Sequence, residues 1–221
     1  MPNWYLHSCL PLLVACLVVL VLPACSRTKP ARFYVLTPLL VSESAQALRT
    51  SSPTVTIGVG PIELPDYVDR PQIVTQDGAN TFQLAEFDRW AEPLEENFSR
   101  VLVENLSDLL APHRITVFPW KTAVPIDYRV TVEVTRFYSE ANGQTTLSAR
   151  WSIQNPTGVK LLASRQSRLR ESSGTQDYAA TVAAMSKTVA ALSQEIAAEI
   201  KSVVRNNQIT RFDTAHEAEK R

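Results

Sequence analysis

From Tyr128 to Gln154 the side chains change character at every step. Tyr128, Val130, Val132 and Val134 alternate with Arg129, Thr131, Glu133 and Thr135. After Asn142-Gly143, Leu147, Ala149, Trp151 and Ile153 alternate with Ser148, Arg150, Ser152 and Gln154. Successive side chains of a strand point to opposite faces, so this period fixes an extended chain with one buried and one polar face. Asn142-Gly143 and Asn155-Pro156-Thr157-Gly158 are turn signals, and they predict a third strand over about 159–169. The three strands form an antiparallel meander. Its apolar face needs a cover.

Two amphipathic helices supply one. Leu94, Phe98, Val101, Leu102, Leu106 and Leu109 share a helical face, which predicts a helix over 92–110. Pro93 suits its first turn, Glu95 and Glu96 suit the positive end of its dipole, and Pro112 stops it. A second stripe runs from Asp177 to Arg205 through Tyr178, Val182, Met185, Val189, Leu192, Ile196, Ile200 and Val203. That stripe is expected to pack on the sheet rather than to form a coiled coil. Further strands are predicted at 32–36, 54–59, 72–76, 81–86 and 114–118, the third and fourth joined as a hairpin by Asp77-Gly78. Residues 38–53 read as a loop, Pro61–Pro71 as an ordered, irregular connector, and 208–221 as a flexible tail. The predicted fold class is α+β: a two-layer sandwich with a mostly antiparallel sheet and two long helices on one face. Residues 25–207 form a single domain, with Trp120 and Trp151 expected in the core.

The N-terminus sets the compartment. Residues 10–22 are apolar apart from Pro11 and carry no charge. Such a run fits the core of a signal peptide over 1–24 and is short for a membrane-spanning helix, which needs about 20 residues. Leu22-Pro23-Ala24-Cys25 then has the pattern of a bacterial lipobox. Small Ala24 admits the peptidase, and the Cys25 thiol takes the diacylglycerol. The alternatives are a secreted protein cut at an Ala-x-Ala-like site and an uncleaved anchor. The three cysteines are Cys9, Cys16 and Cys25. With Cys25 acylated, the mature chain has neither a free thiol nor a disulfide. Acyl chains hold a protein stably to a bilayer when several act together. Ser26 occupies the place where Asp signals inner-membrane retention, so the expected location is the periplasmic face of the outer membrane. The roughly 30 residues after Cys25 are expected to include a tether that lets the domain stand off the membrane.

Little in the chain suggests chemistry. The 22 basic residues balance the 22 acidic ones, so nucleic acid is not an expected partner. The histidines His7, His113 and His216 show no metal-ligand spacing. There is no Gly-x-Ser-x-Gly elbow. Gly58-Val59-Gly60 begins like a dinucleotide loop, but the third glycine is missing and Pro61 follows instead of a helix. Asp66, Asp69, Asp77, Glu86 and Asp88 read as solvated loop charges rather than as a catalytic pair. No enzyme activity, metal or cofactor is expected. The region of Tyr67, Arg70, Pro71, Arg89 and Trp90 stands out. A Trp beside an Arg on a connector marks an interface anchor. Alternatively, Trp90 caps the core while Arg89 pairs locally with Asp88 or Glu92.

These stretches carry a resemblance. "FYVL" soon after the lipobox, then "IGVGPIELPDYVDRPQIVT", "RWAEPL", "RVLVENLSDLL" and "FPW", resemble the PqiC (YmbA) family of ABC-type transport auxiliary lipoproteins. The resemblance runs from about Cys25 to Trp151, and the C-terminal helix matches only in type. It implies an outer-membrane lipoprotein without catalytic residues, working with an MCE-domain protein of the PqiB kind in lipid movement between membranes. The family's motif positions fall on Leu64, Pro65, Tyr67, Arg70, Pro71, Arg89, Trp90, Glu92 and Pro93. Their expected job is to hold the hairpin against the first helix, with Arg70 and Arg89 as partner contacts. The other reading is a carrier that holds an acyl chain, and so a phospholipid, in its own pocket. A homo-oligomer is a further expectation.

Overall fold

The long meander is present, and it forms one flank of a branched sheet. The structure, a computed structural model, describes residues 29–39, 55–120 and 125–219, with side chains through residue 209. The leader, Cys25 and most of the loop expected over 38–53 lie outside the described residues. In chain order the elements are β1 (Arg32–Tyr34), β2 (Thr56–Glu63), β3 (Gln72–Gln76), β4 (Phe82–Trp90), α1 (Leu94–Leu109), β5 (Arg114–Val117), β6 (Tyr128–Glu140), β7 (Gln144–Gln154), β8 (Leu161–Ser172) and α2 (Tyr178–Glu219).

The sheet runs β1-β4-β3-β6-β2-β5, and β7 and β8 continue from the other side of β6. β6 is long enough to serve both branches. Its first part pairs with β2, its last residues pair with β3, and β7 follows it along the opposite side. The ladders β3–β4, β6–β7 and β7–β8 are antiparallel, as expected. The pairs β1–β4, β2–β5, β2–β6 and β3–β6 are parallel. Hairpin turns announce antiparallel neighbours, whereas parallel neighbours are joined by long crossovers that leave no local signal.

β2, β4 and β6 depart from expectation in ways that bear on the site. β2 continues through Pro61 to Glu63, because the ladder to β6 shifts register between Val59 and Ile62 and so needs no donor from Pro61. β4 runs on to Trp90, so Arg89 and Trp90 belong to a strand and not to a connector. In β6 the register against β7 shifts between Val134 and Arg136, which changes the phase of the alternation. Phe137 therefore turns into the core, and Tyr138 points the other way.

Both helices cover one face of the sheet. α1 lies on β2 and β5, α2 lies on β6, β7 and β8, and the two helices pack on each other. Phe98 of α1 meets Phe137 edge-on with centroids 5.3 Å apart. Trp151 is in the core, donating its indole N–H to Ser167 Oγ at 2.8 Å. α2 passes the Arg205 end read from its stripe and enters the expected tail. No Gly or Pro occurs between Arg205 and Glu219 to stop it.

The turn from α1 into β5 holds a titratable group. His113 is partly buried, and its Nδ1 accepts the Val55 N–H at 3.4 Å. Burial, aided by the charge of Lys201, lowers its pKa below the ordinary histidine value of 6.5. The imidazolium is thus less favourable in the folded protein than in the unfolded chain. The stability this contributes is fully present above the ordinary value and is lost as pH falls through the lowered one. We expect the melting temperature to drop over that window, and to drop less in His113→Gln. Equal pH profiles for the two proteins would refute this.

Candidate partner-docking site

The connector 64–71 and the junction of β4 with α1 are joined by hydrogen bonds at each step. Pro65 O accepts Val68 N at 3.0 Å, turning the chain so that Val68 is buried. Pro71 O accepts Trp90 N at 2.8 Å, and Gln72 pairs with Arg89 in the ladder. Asp69 Oδ1 accepts Glu95 N at 3.3 Å. Pro93, at the N-cap of α1, has no side-chain cap of its own, so Asp69 supplies one from the connector. Asp69→Ala is expected to cost about 1 kcal/mol, read as a melting temperature about 2–4 °C lower. An unchanged melt would show that the contact carries no stability.

The structure brings Pro71, Arg89 and Trp90 together where the start of β3 meets the end of β4, with Arg70 next to them in the chain, and it sets the Tyr67 ring apart from them, against the start of β4. Trp90 is 5% exposed and belongs to the core. Tyr67 stacks on Phe82 with centroids 4.9 Å apart, and Tyr138 closes the cluster edge-on to Phe82 at 5.6 Å. Burial raises the Tyr67 hydroxyl above its ordinary pKa, and that hydroxyl donates to Thr135 O at 3.5 Å. Pro71 and Arg89 are exposed, and Arg70 is half-buried. Among the described residues neither arginine has an ion-pair partner, and Arg70 Nε is buried without a hydrogen bond.

The local pairing of Arg89 with Asp88 or Glu92 is not formed. Asp88 is buried and accepts Arg32 Nε and Tyr34 OH, each at 2.8 Å. Glu92 pairs with Arg100 at 2.7 Å, which lowers its pKa, and it also accepts Asn97 Nδ2. The expectation of solvated loop charges therefore fails for Asp88, a structural acid whose charge Arg32 balances. Burial, with the Asp88 bond adding to it, pushes the Tyr34 hydroxyl up to about 12.

Two buried asparagines were not singled out in the sequence. Asn97 and Asn105 interrupt the apolar stripe of α1, and each Oδ1 accepts a backbone N–H of the N-terminal segment: Leu36 for Asn97 and Leu39 for Asn105, both at 2.7 Å. Thr37 N–H reaches Ser186 Oγ at 3.1 Å. Residues 36–39 are thereby strapped to the two helices. A polar residue within an apolar stripe was the available signal.

The glycines of Gly58-Val59-Gly60 have a packing role. A Cβ on Gly58 would lie 2.8 Å from the Trp120 ring, and one on Gly60 would lie 2.6 Å from Phe118 Cβ. Phe118 and Trp120 meet edge-on at 5.2 Å, and the Arg129 guanidinium stacks on Trp120 at 4.8 Å. Trp120 thus covers β2 from outside and is half-buried, short of the full burial expected. Among the described residues no cluster of His, Cys, Asp and Glu suits a metal ion.

The motif stretches prove to be mutual packing partners, and this whole arrangement lies within the span of one family model. That model, ABC-type transport auxiliary lipoprotein component, matches residues 34–197. The chain belongs to this family. ABC-type transport auxiliary lipoproteins are membrane-associated components that assist a transporter, and they are not a known enzyme family. Two solved structures share the fold. One is an uncharacterised protein at 22% identity, covering 78% of this chain and 99% of its own, with a TM-score of 0.64. The other, from Xanthomonas campestris, is 17% identical, covers 80% of this chain and 99% of its own, and has a TM-score of 0.63. No curated protein matches the chain.

Proposed function

We propose that this auxiliary lipoprotein is a non-enzymatic subunit of an MCE-type intermembrane lipid transport system. Acylated Cys25 holds it on the periplasmic face of the outer membrane, and it docks the end of a PqiB-like tunnel. The observation that carries this reading is the meeting of motif residues Pro71, Arg89 and Trp90 where β3 meets the end of β4, with the Arg70 and Arg89 guanidinium groups lacking carboxylate partners among the described residues. Trp90 and the Asp69 cap support that surface from behind. Tyr67, Arg70, Pro71 and Arg89 form the contact, and acidic groups on the partner complete it. A charge at an interface rim acts strongly on encounter rate and on partner choice.

The carrier reading needs apolar walls around an acyl chain. Two surface hollows of about 420 and 320 Å³ are about as polar as apolar, with Gln76, Glu140 and Asn142 in the first and Glu63, Glu133 and Arg150 in the second, so neither offers a continuous apolar wall. They do not favour it.

Arg70→Glu together with Arg89→Glu tests the docking surface. We expect these replacements to reduce capture of the MCE partner at least tenfold while the melting temperature changes little, in keeping with the cost of like-charge contacts. Capture equal to wild type would sink the assignment.

A further inference from the structure

Six residues, Ser26 to Ala31, separate Cys25 from β1. From Cys25 to Arg32 such a chain spans at most about 25 Å when fully extended. β1 does not drift from the domain. It pairs with β4, Arg32 is held by Asp88 at 2.8 Å, and Asn97, Ser186 and Asn105 fasten residues 36–39. The expected stand-off tether is thus short. A bilayer holding Cys25 lies within one tether length of the β1 edge.

On the side turned from the helices the β1 edge exposes two apolar side chains, with Arg89 of β4 next to Phe33. Tyr34 pairs with core residue Trp90, whereas Phe33 pairs with exposed Arg89. Phe33 is 64% exposed and Val35 is 42% exposed. Other exposed apolar pairs exist, Phe82 with Leu84, Val117 with Phe118 and Val159 with Leu161, but each lies 50 or more residues further from Cys25 along the chain than Arg32 does. The tether itself carries Arg27 and Lys29 and no acid, which suits anionic headgroups. An exposed aromatic and aliphatic pair close in sequence to positive charge has the composition of an interfacial membrane contact.

We propose that Phe33 and Val35 rest in the headgroup–acyl boundary of the membrane that holds the Cys25 acyl chains. This rests on the lipid-anchor reading above. Anchor and β1 edge together then fix the orientation of the domain on the bilayer, and a free swing about a single point is excluded.

The mature acylated chain has no free thiol, so single labels can be placed cleanly. Phe33→Cys, Val35→Cys and Val159→Cys, each made in the full-length protein and purified from membranes, receive a polarity-sensitive fluorophore. Each is reconstituted into vesicles of phosphatidylethanolamine and phosphatidylglycerol that contain a nitroxide-bearing lipid. Quenching at positions 33 and 35 is expected to exceed that at 159 by roughly threefold or more, as for side chains buried in the interface. Equal quenching at the three positions would overturn the proposal. Intact mass and vesicle flotation of the same samples report on the anchor separately. An acylated, floating protein with equal quenching overturns the membrane contact alone. An unacylated protein that does not float overturns the anchor reading and this contact with it.

Discussion

Gly60→Ala lowers the melting temperature by about 5–15 °C. Two costs add at this position. The φ of Gly60 is +120°, where an L side chain is strained, at about 1–3 kcal/mol. The added Cβ also meets Phe118 Cβ at 2.6 Å. That atom sits on the backbone and cannot swing away, so β2 and the Phe118 segment must part, at about 1–3 kcal/mol. Together these come to about 2–6 kcal/mol, and in a domain of this size each kcal/mol moves the midpoint by about 2–4 °C, which together span a fall of about 5–15 °C. Gly78→Ala is the control. It has a φ of +78° with open space around it, so only the backbone cost applies. Thermal melts of the two variants separate strain from collision. Equal losses would show that Phe118 yields freely and that Gly60 is there for its backbone alone.

Asn97→Ala with Asn105→Ala is the second large effect. Each amide oxygen receives a backbone N–H of the strap, and Asn105 Nδ2 also donates to Ser193 Oγ at 3.1 Å. Truncation leaves the Leu36 and Leu39 N–H groups without acceptors, and Leu36 is fully buried. An orphaned buried donor costs about 1–3 kcal/mol, which applies in full to Leu36 and less to half-buried Leu39, so the pair should cost about 2–4 kcal/mol in denaturant melts. The more specific readout is hydrogen exchange at the Leu36 and Leu39 amides. It should speed up by about tenfold or more relative to the β6–β7 ladder, since roughly 1.4 kcal/mol of local opening energy is a factor of ten. If those amides keep their protection, the Leu36 side chain holds the strap and the asparagines are incidental.

How much of this could be read from the sequence depended on range. The meander, the hairpin and both helices follow from periodicity and turn residues close together in the chain, and all are present, although β4 and α2 run on past their expected ends. The parallel pairs do not follow, because β2 meets β5 and β6 across intervening elements that leave no mark on the strands themselves. Pro61 looked like a strand end, yet it sits where the ladder shifts and no donor is needed. Trp90 looked like an interface anchor because Arg89 precedes it. In a strand, neighbours face opposite ways, so one is buried and the other exposed. The link to the start of α1 comes from the connector, through Asp69, a residue read as a solvated charge. Asp88 was misread for the same reason, since its partner Arg32 is 56 residues away.

The central claim is an anchored, non-enzymatic transport subunit. Its most direct test is a pull-down of the full-length protein from envelope membranes beside Cys25→Ala, with proteins and lipids identified by mass spectrometry. The account predicts that an MCE-domain protein accompanies the wild type, and that Cys25→Ala is found soluble in the periplasm. A wild-type protein that brings down lipid but no MCE protein, or a Cys25→Ala protein that stays on the membrane, would contradict it.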